Sequence, residues 1–459
     1  MAAPSRSAYV PCRELSNLVE TVFASWKQQG ISFIVLRNYE NLPHTVAGDV
    51  DILVSPADHH RAERILVLSA RKAGYELHNR AERSAYSPIS LFLWHKSTRH
   101  QVQLDLFKSL HWHGFTILPW EVVIGARIDR GEFAIPHPVH EAVLDLLTRL
   151  LWQGYVKNAY KPKILNTFRL VPNLALEALA VSFGLSVAKK LVENVLAEDW
   201  AAVECLAPGL RRSLVVRQVK CAPGAILALL GVEAIRWAKR VLQPPGIAVA
   251  LIGPDGSGKS SVAEGLIEQL QCTFNRDRAI YVHWKPSVLR PRRMRERPPT
   301  TTPHANPPRP LIISIMYFLF HWADFVLGVC LILRPITFRN GLAVIDRYYY
   351  DFFVDPQRYR LRVPLFLARL GYAFLPKPDL VILLDAPPDI LQSRKREVPL
   401  TETARQRAAY LELTAGLPNG LVVDGSRSLQ EVVYEATRAV LSYLTDRTTR
   451  RNLRKLAND

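Results

Sequence analysis

Gly253-Pro254-Asp255-Gly256-Ser257-Gly258-Lys259-Ser260 fits G-x-x-x-x-G-K-[ST] at every fixed position, and no other stretch of the chain constrains its local architecture as tightly. The apolar residues 247–252 precede it and an amphipathic run, 259–270, follows. An extended strand must therefore turn sharply there and pass straight into a helix. Glycines at the turn let successive backbone N–H groups point inward, and the start of the helix adds unpaired donors and the positive end of its dipole. Such a cradle suits a chain of phosphates, with Lys259 reaching the outer ones and Ser260 placed for a divalent cation. These eight residues, with Ser261, are the candidate nucleotide contacts.

The surrounding pattern predicts a parallel sheet covered on both faces. Short apolar runs at 247–252, 279–283, 342–345, 380–384 and 421–423 alternate with helical periodicity. In such sheets ligands bind at the carboxyl ends of the strands. Asp346-Arg347-Tyr348 closes one strand there, so Arg347 suits an acceptor phosphate and Asp346 suits Mg²⁺ waters or the attacking oxygen. Asp385-Ala386-Pro387-Pro388 closes the next strand. The Arg394-Lys395-Arg396 cluster beyond it has the placement of a lid, with Arg394 and Arg396 neutralising charge on a transferring phosphoryl group.

GPDGSGKS, the DRY at 346–348, LLDAPP at 383–388 and the RK pair at 394–395 together resemble the thymidylate kinase-like branch of the nucleoside monophosphate kinases, over about residues 246–445. The resemblance implies phosphoryl transfer from ATP to a monophosphate, with Mg²⁺ as cofactor. It also implies that Asp255 contacts a sugar hydroxyl and that Arg347 holds the acceptor phosphate. The chain departs from thymidylate kinases at two places. His283-Trp284-Lys285-Pro286 stands where they carry R-E-P-G, and Tyr349-Tyr350-Asp351 with Val354-Asp355-Pro356 stands where a Tyr-Gln pair belongs. The run DRYYYDFFVDPQRYR is more similar to thymidylate kinase-like proteins found with bacterial surface-polysaccharide functions. Six basic residues between Lys285 and Arg297 face one acid, Glu296, which fits a multiply anionic acceptor.

Upstream, the predicted organisation is a small α/β unit at 12–135, a helical domain at 138–242 and, past the Gln243-Pro244-Pro245-Gly246 linker, the P-loop domain at 246–447 with a basic tail at 448–459. The fold class is α/β multidomain. In the first unit a helix from about residue 12 leads to strands at 32–36, 50–54 and 102–107, with a helix at 56–73. Asp49 and Asp51 share one strand face at period two, and Asp105 lies on a later strand. Three convergent carboxylates could bind Mg²⁺ for nucleotidyl transfer. The layout over residues 12–120 resembles the minimal nucleotidyltransferase fold, with Leu36-Arg37 where that family has Gly-Ser. His59, His60, His111 and His113 form no metal-ligand set.

Composition narrows the partners. The 59 basic residues against 41 acidic give +18, which suits anionic partners. Five scattered cysteines predict no disulfide framework and no structural zinc, and the first fifteen residues contain no apolar signal core, so a cytoplasmic protein is expected. The apolar stretch 311–333 could span a bilayer by length, but His321 and Asp324 sit in its middle, so a helix buried in the kinase domain is expected. Peripheral membrane contact and a homodimer stay open. Nucleic-acid binding is the alternative class, and the absence of any RNP or KH signature argues against it. An ATP-switched membrane or assembly factor is the other.

Overall fold

The computed structural model describes residues 13–46, 48–84, 86–98, 100–221, 223–274, 276–284, 286–289 and 307–456. The basic loop singled out above falls mostly on Lys285 and 290–306, outside the described residues, as does Cys12. The chain divides into two compact units, Met1–Ala238 and Lys239–Asp459.

In the first unit a mixed sheet runs in the order β3-β4-β5-β2-β1-β9-β8. Its strands are β1 (Phe33–Arg37), β2 (Val50–Val54), β3 (Tyr75–Glu82), β4 (Ile89–His95), β5 (Gln101–Phe107), β8 (Ile128–Asp129) and β9 (Ala134–Ile135), while β6 (Leu110–Trp112) and β7 (Phe115–Leu118) form a separate hairpin. Side chains alternate across the strands, so each face of the sheet builds its own core. Val35, Ile52 and Val54 pack with Leu18, Val22 and Trp26 of the helix Arg13–Gln28. On the other face Ile34, Leu36 and Leu53 join Leu146, Leu150 and Phe168 in one continuous core. The helical stretch after residue 138 therefore completes the first sheet's second face, and both lie within a single compact unit.

The second unit holds a five-stranded sheet of order β11-β12-β10-β13-β14, parallel at every pairing. The strands are β10 (Ile247–Ile252), β11 (Ala279–His283), β12 (Leu342–Asp346), β13 (Leu380–Asp385) and β14 (Gly420–Asp424). Ala250, Ile252, Ala343 and Ile345 pack with Phe318 and Phe325 of the helix Leu311–Gly328 and with the three consecutive tyrosines Tyr348, Tyr349 and Tyr350. The helices Lys259–Gln269 and Leu429–Leu456 pack against each other, with Gly265 directly beneath Val433. The basic residues from Arg447 continue this last helix to Leu456, and Arg447 itself is buried, donating to the carbonyls of Pro245 and Gly246.

The apolar helix resolves its own polar residues. Asp324 is fully buried and accepts hydrogen bonds from Ser287 Oγ at 2.8 Å and from the N–H groups of Val288 and Leu289 at 2.7 and 2.8 Å. A buried carboxylate with three donors needs no water. Gly328, a turn further on, lies against the carbonyl of Pro286, where an added Cβ would come within 1.6 Å. His321 also faces inward, while Ile312, Met316, Leu319, Phe320, Leu327 and Leu331 are exposed. By length and composition the stretch Leu311–Phe338 is apolar enough to cross a membrane, and a third of its most apolar window is buried within the unit.

Candidate functional site

The phosphate loop has the geometry its glycines predict. Gly253, Gly256 and Gly258 all have positive φ, at 143°, 84° and 83°. A Cβ on Gly256 would stand 2.5 Å from the carbonyl oxygen of Leu391, so close approach as well as backbone conformation requires glycine there. Lys259 folds back over the loop, its Nζ donating to Gly253 O at 3.0 Å, Pro254 O at 2.9 Å and Ser257 Oγ at 3.2 Å. Burial, and then the nearby Arg347, pull its pKa below the ordinary lysine value. Ser260 and Ser261 are exposed at the start of the helix.

Strand register brings the next residues to the loop. Asp346 pairs with Leu251 of β10 on one side and His283 of β11 on the other. Its Oδ2 accepts from Tyr281 Oη at 3.0 Å and lies 3.1 Å from His283 Nδ1, while Tyr281 Oη also lies within hydrogen-bond reach of Ser260 Oγ, at 3.2 Å. Its Oδ1 is buried with no hydrogen-bond partner among the described residues. An orphaned, buried carboxylate oxygen beside the loop serine fits a divalent cation. Burial alone would raise Asp346, but His283, Lys259 and Arg347 outweigh it and hold the carboxyl below its usual value.

Arg347 and Tyr348 both adopt left-handed backbone geometry, with φ of 76° and 53°. Two successive non-glycine residues there are strained, and such strain clusters at functional sites. The turn aims Arg347 at Asp255 of the phosphate loop and, at 3.2 Å, at the fully buried Asp351. Asp351 also accepts from Tyr359 Oη at 3.0 Å and Tyr410 Oη at 2.6 Å. Arg358 reaches the second oxygen of Asp255, and contacts Asp355 at 3.3 Å and Glu397 at 3.4 Å. Burial would raise Asp255, but Arg347, Lys259 and Arg358 together hold it well below the usual carboxylate range. Trp284 stacks on Tyr359 with centroids 4.8 Å apart and planes 10° apart, forming an aromatic wall beside this network.

The reading of the sequence named Asp255, Lys259, Ser260, Asp346 and Arg347, and these converge. The two lid arginines do not join them. Arg394 donates to the carbonyl of Gly425 at 2.7 Å, and Arg396 is exposed. Asp351, Asp355, Arg358 and Tyr281 were missed. A signal existed for the first three, because Arg347, Asp351, Asp355 and Arg358 recur at four, four and three residues, the spacing of one helical face.

In the first unit the acidic residues also meet. Parallel pairing of β2 with β5 sets Asp51 beside Asp105, and one oxygen from each of Asp49, Asp51 and Asp105 lies within 4.8 Å of the others. Arg37, directly across from Asp51 in β1, ion-pairs with it at 3.2 Å. Burial, reinforced by Asp49 and Asp105 and opposed by Arg37, pushes Asp51 up to about 7. Asp105 is raised by burial as well, and accepts from Gln103 at 2.9 Å.

The P-loop lies on a parallel sheet, with an Asp-Arg pair at the carboxyl end of the neighbouring strand, and together they form the candidate phosphate site. No family model matches the chain. Among curated proteins, a thymidylate kinase of Xanthomonas euvesicatoria pv. vesicatoria is 27% identical over 217 residues, spanning 45% of this chain and 88% of that protein. Thymidylate kinases of Xanthomonas campestris (strain B100) and Xanthomonas oryzae (strain PXO99A) match at 26% and 27% over similar lengths. The crystal structure of a thymidylate kinase from Ehrlichia chaffeensis overlaps 43% of this chain at 16% identity, with a TM-score of 0.32. The sequence similarity supports a kinase domain in this chain.

Proposed function

We propose that the second unit is an ATP-dependent phosphotransferase whose acceptor is a nucleoside monophosphate or a similar phosphorylated small molecule. The observation that carries this reading is the arginine pair, Arg347 and Arg358, meeting on Asp255 within the same loop that carries Lys259. The loop N–H groups and Lys259 would hold the β- and γ-phosphates. Ser260 and Asp346 would hold Mg²⁺, which supplies charge neutralisation across the phosphates when bound. Arg347 and Arg358 offer donors in fixed forks for an acceptor phosphate, which would replace part of their pairing with Asp255. An acceptor oxygen so placed attacks the γ-phosphorus as the bond to the bridging β–γ oxygen breaks, and ADP leaves.

Purified protein given ATP, Mg²⁺ and a panel of nucleoside and sugar monophosphates should release ADP only with its proper acceptor. Equal ADP release with and without every acceptor would leave an ATPase and sink the reading. The Trp284–Tyr359 wall beside the arginines favours acceptors that carry a planar base.

A second reading concerns the first unit, where the convergence of Asp49, Asp51 and Asp105 favours a divalent-cation site serving a nucleotidyltransferase-like reaction. Because burial lifts Asp51 to about 7, a proton competes with the metal below that pH. Mn²⁺ affinity, followed by electron paramagnetic resonance, should therefore climb as pH rises from about 6 to about 8. Asp51→Asn should remove that rise. A flat profile, or unaltered binding in Asp51→Asn, would show that Arg37 already neutralises the cluster.

A further inference from the structure

The second unit contains a cavity of about 210 Å³ that the phosphotransfer reading does not use. Its walls include Ala248, at the start of β10, and Pro378 and Asp379, immediately before β13. It lies beside the amino ends of β10 and β13 and reaches Ile345 and Tyr348 near the carboxyl end of β12. Its apolar lining includes Val329, Leu333, Ile345 and Tyr348, and among the described residues the cations Arg334, Lys377 and Arg451 reach it.

The charge balance there is uneven. Asp379 is the one acid in the lining among the described residues, and its Oδ2 already accepts from the N–H of Ala248 at 2.8 Å. Its Oδ1 is shared with a fourth cation, Arg447, at 4.0 Å. Arg447 is buried, and its Nε has no hydrogen-bond partner among the described residues. Burial, together with Arg447, pushes the Arg451 guanidinium down to about 10, and its Nη1 donates to Pro244 O at 3.1 Å. A concave site in which a few charges converge beside apolar side chains can hold a small anionic molecule.

We propose that this cavity binds a small organic anion, a phosphate monoester with a compact apolar body, its phosphate between Arg334, Lys377 and Arg451 and its body against Val329, Leu333 and Tyr348. The size fits a body no larger than a single ring. Tyr348 follows Arg347 directly, and its hydroxyl donates to Pro376 O at the cavity wall, so the occupant touches the strained turn that aims Arg347. The proposal does not depend on the phosphotransfer reading.

Phenyl phosphate is the probe, titrated by calorimetry into the full chain in the presence of excess MgADP, so that the phosphate loop is already filled. Saturable binding is expected, at least about tenfold weaker in the double variant Arg334→Gln/Arg451→Gln, which removes two charge-assisted contacts. Lys377→Gln, at an exposed position, should weaken it by about threefold even if the double variant fails to fold. No binding at millimolar probe would overturn the proposal, as would unchanged affinity in Lys377→Gln. Phenol binding equally well would mean that the cations contribute nothing. Inorganic phosphate binding equally well would mean that the cavity contributes nothing.

Discussion

Lys259→Met is expected to abolish acceptor-dependent ADP release, by on the order of 10³-fold or about 4 kcal/mol on the barrier, with little effect on folding. Lysine is the one cation of the loop itself, and its ammonium is the group that would follow charge onto the transferring phosphoryl oxygens. In the protein without nucleotide that ammonium is buried, and burial is the largest cause of its depressed pKa. Methionine has a similar length and carries no charge to desolvate. Its three acceptors, Gly253 O, Pro254 O and Ser257 Oγ, lose a donor, which offsets part of that relief. The parent and the variant should therefore melt within a few degrees of each other by circular dichroism. Retained activity in a folded Lys259→Met protein would remove the phosphate loop from the reaction.

Arg347→Met should have the largest effect on stability. It strands the fully buried Asp351 and one oxygen of Asp255, and breaking a buried pair costs about 3–5 kcal/mol because an uncompensated charge remains. Arg358 still reaches Asp255, and Tyr359 and Tyr410 still donate to Asp351, so the lower end of that range is expected. Asp351→Asn in the same chain should recover a substantial part, a coupling that urea unfolding of the four proteins of the cycle would measure.

The pH dependence has a definite sign. Asp255 has a depressed folded pKa, so its contribution is present above the ordinary carboxylate range and fades as pH falls below it. Without Arg347 the depression shrinks, so the contribution is smaller at neutral pH and less of it remains to be lost in acid. Equal neutral stability of parent and Arg347→Met would mean that the pairing with Asp255 and Asp351 is immaterial to the fold.

Local patterns were readable because they need only neighbours. The runs at 50–54, 247–252 and 279–283 form strands with those bounds, since short apolar stretches between turn signals have few other ways to be buried. β3 escaped detection because Tyr-Glu-Leu-His-Asn-Arg-Ala-Glu buries His78 and Asn79 and shifts register between Leu77 and Asn79, which breaks the alternation. The helices after residue 138 read as a separate domain because periodicity shows that a helix has an apolar face and not what covers it. Here the face of the first sheet covers it. Position along the chain points to Arg394 and Arg396 for the site. Arg358 is the arginine that meets Asp255, because the turn after Arg347 carries its side chain there from 103 residues away in sequence.

The sequence by itself determined the strand–loop–helix at 247–269, because positive-φ glycines, an apolar strand and an amphipathic helix are demands made by adjacent residues on one another. It also determined the Asp-Arg step at the end of β12, since a parallel sheet presents its carboxyl ends to one crevice. Only the tertiary structure decided which charges share that crevice. Register set His283 and Leu251 beside Asp346, and set Asp51 between Arg37 and Asp105. Burial then altered what those groups can do, raising Asp51, lowering Lys259 and leaving one oxygen of Asp346 without a partner among the described residues. Burial and register depend on chain segments scores of residues apart, and local spacing carries no record of them.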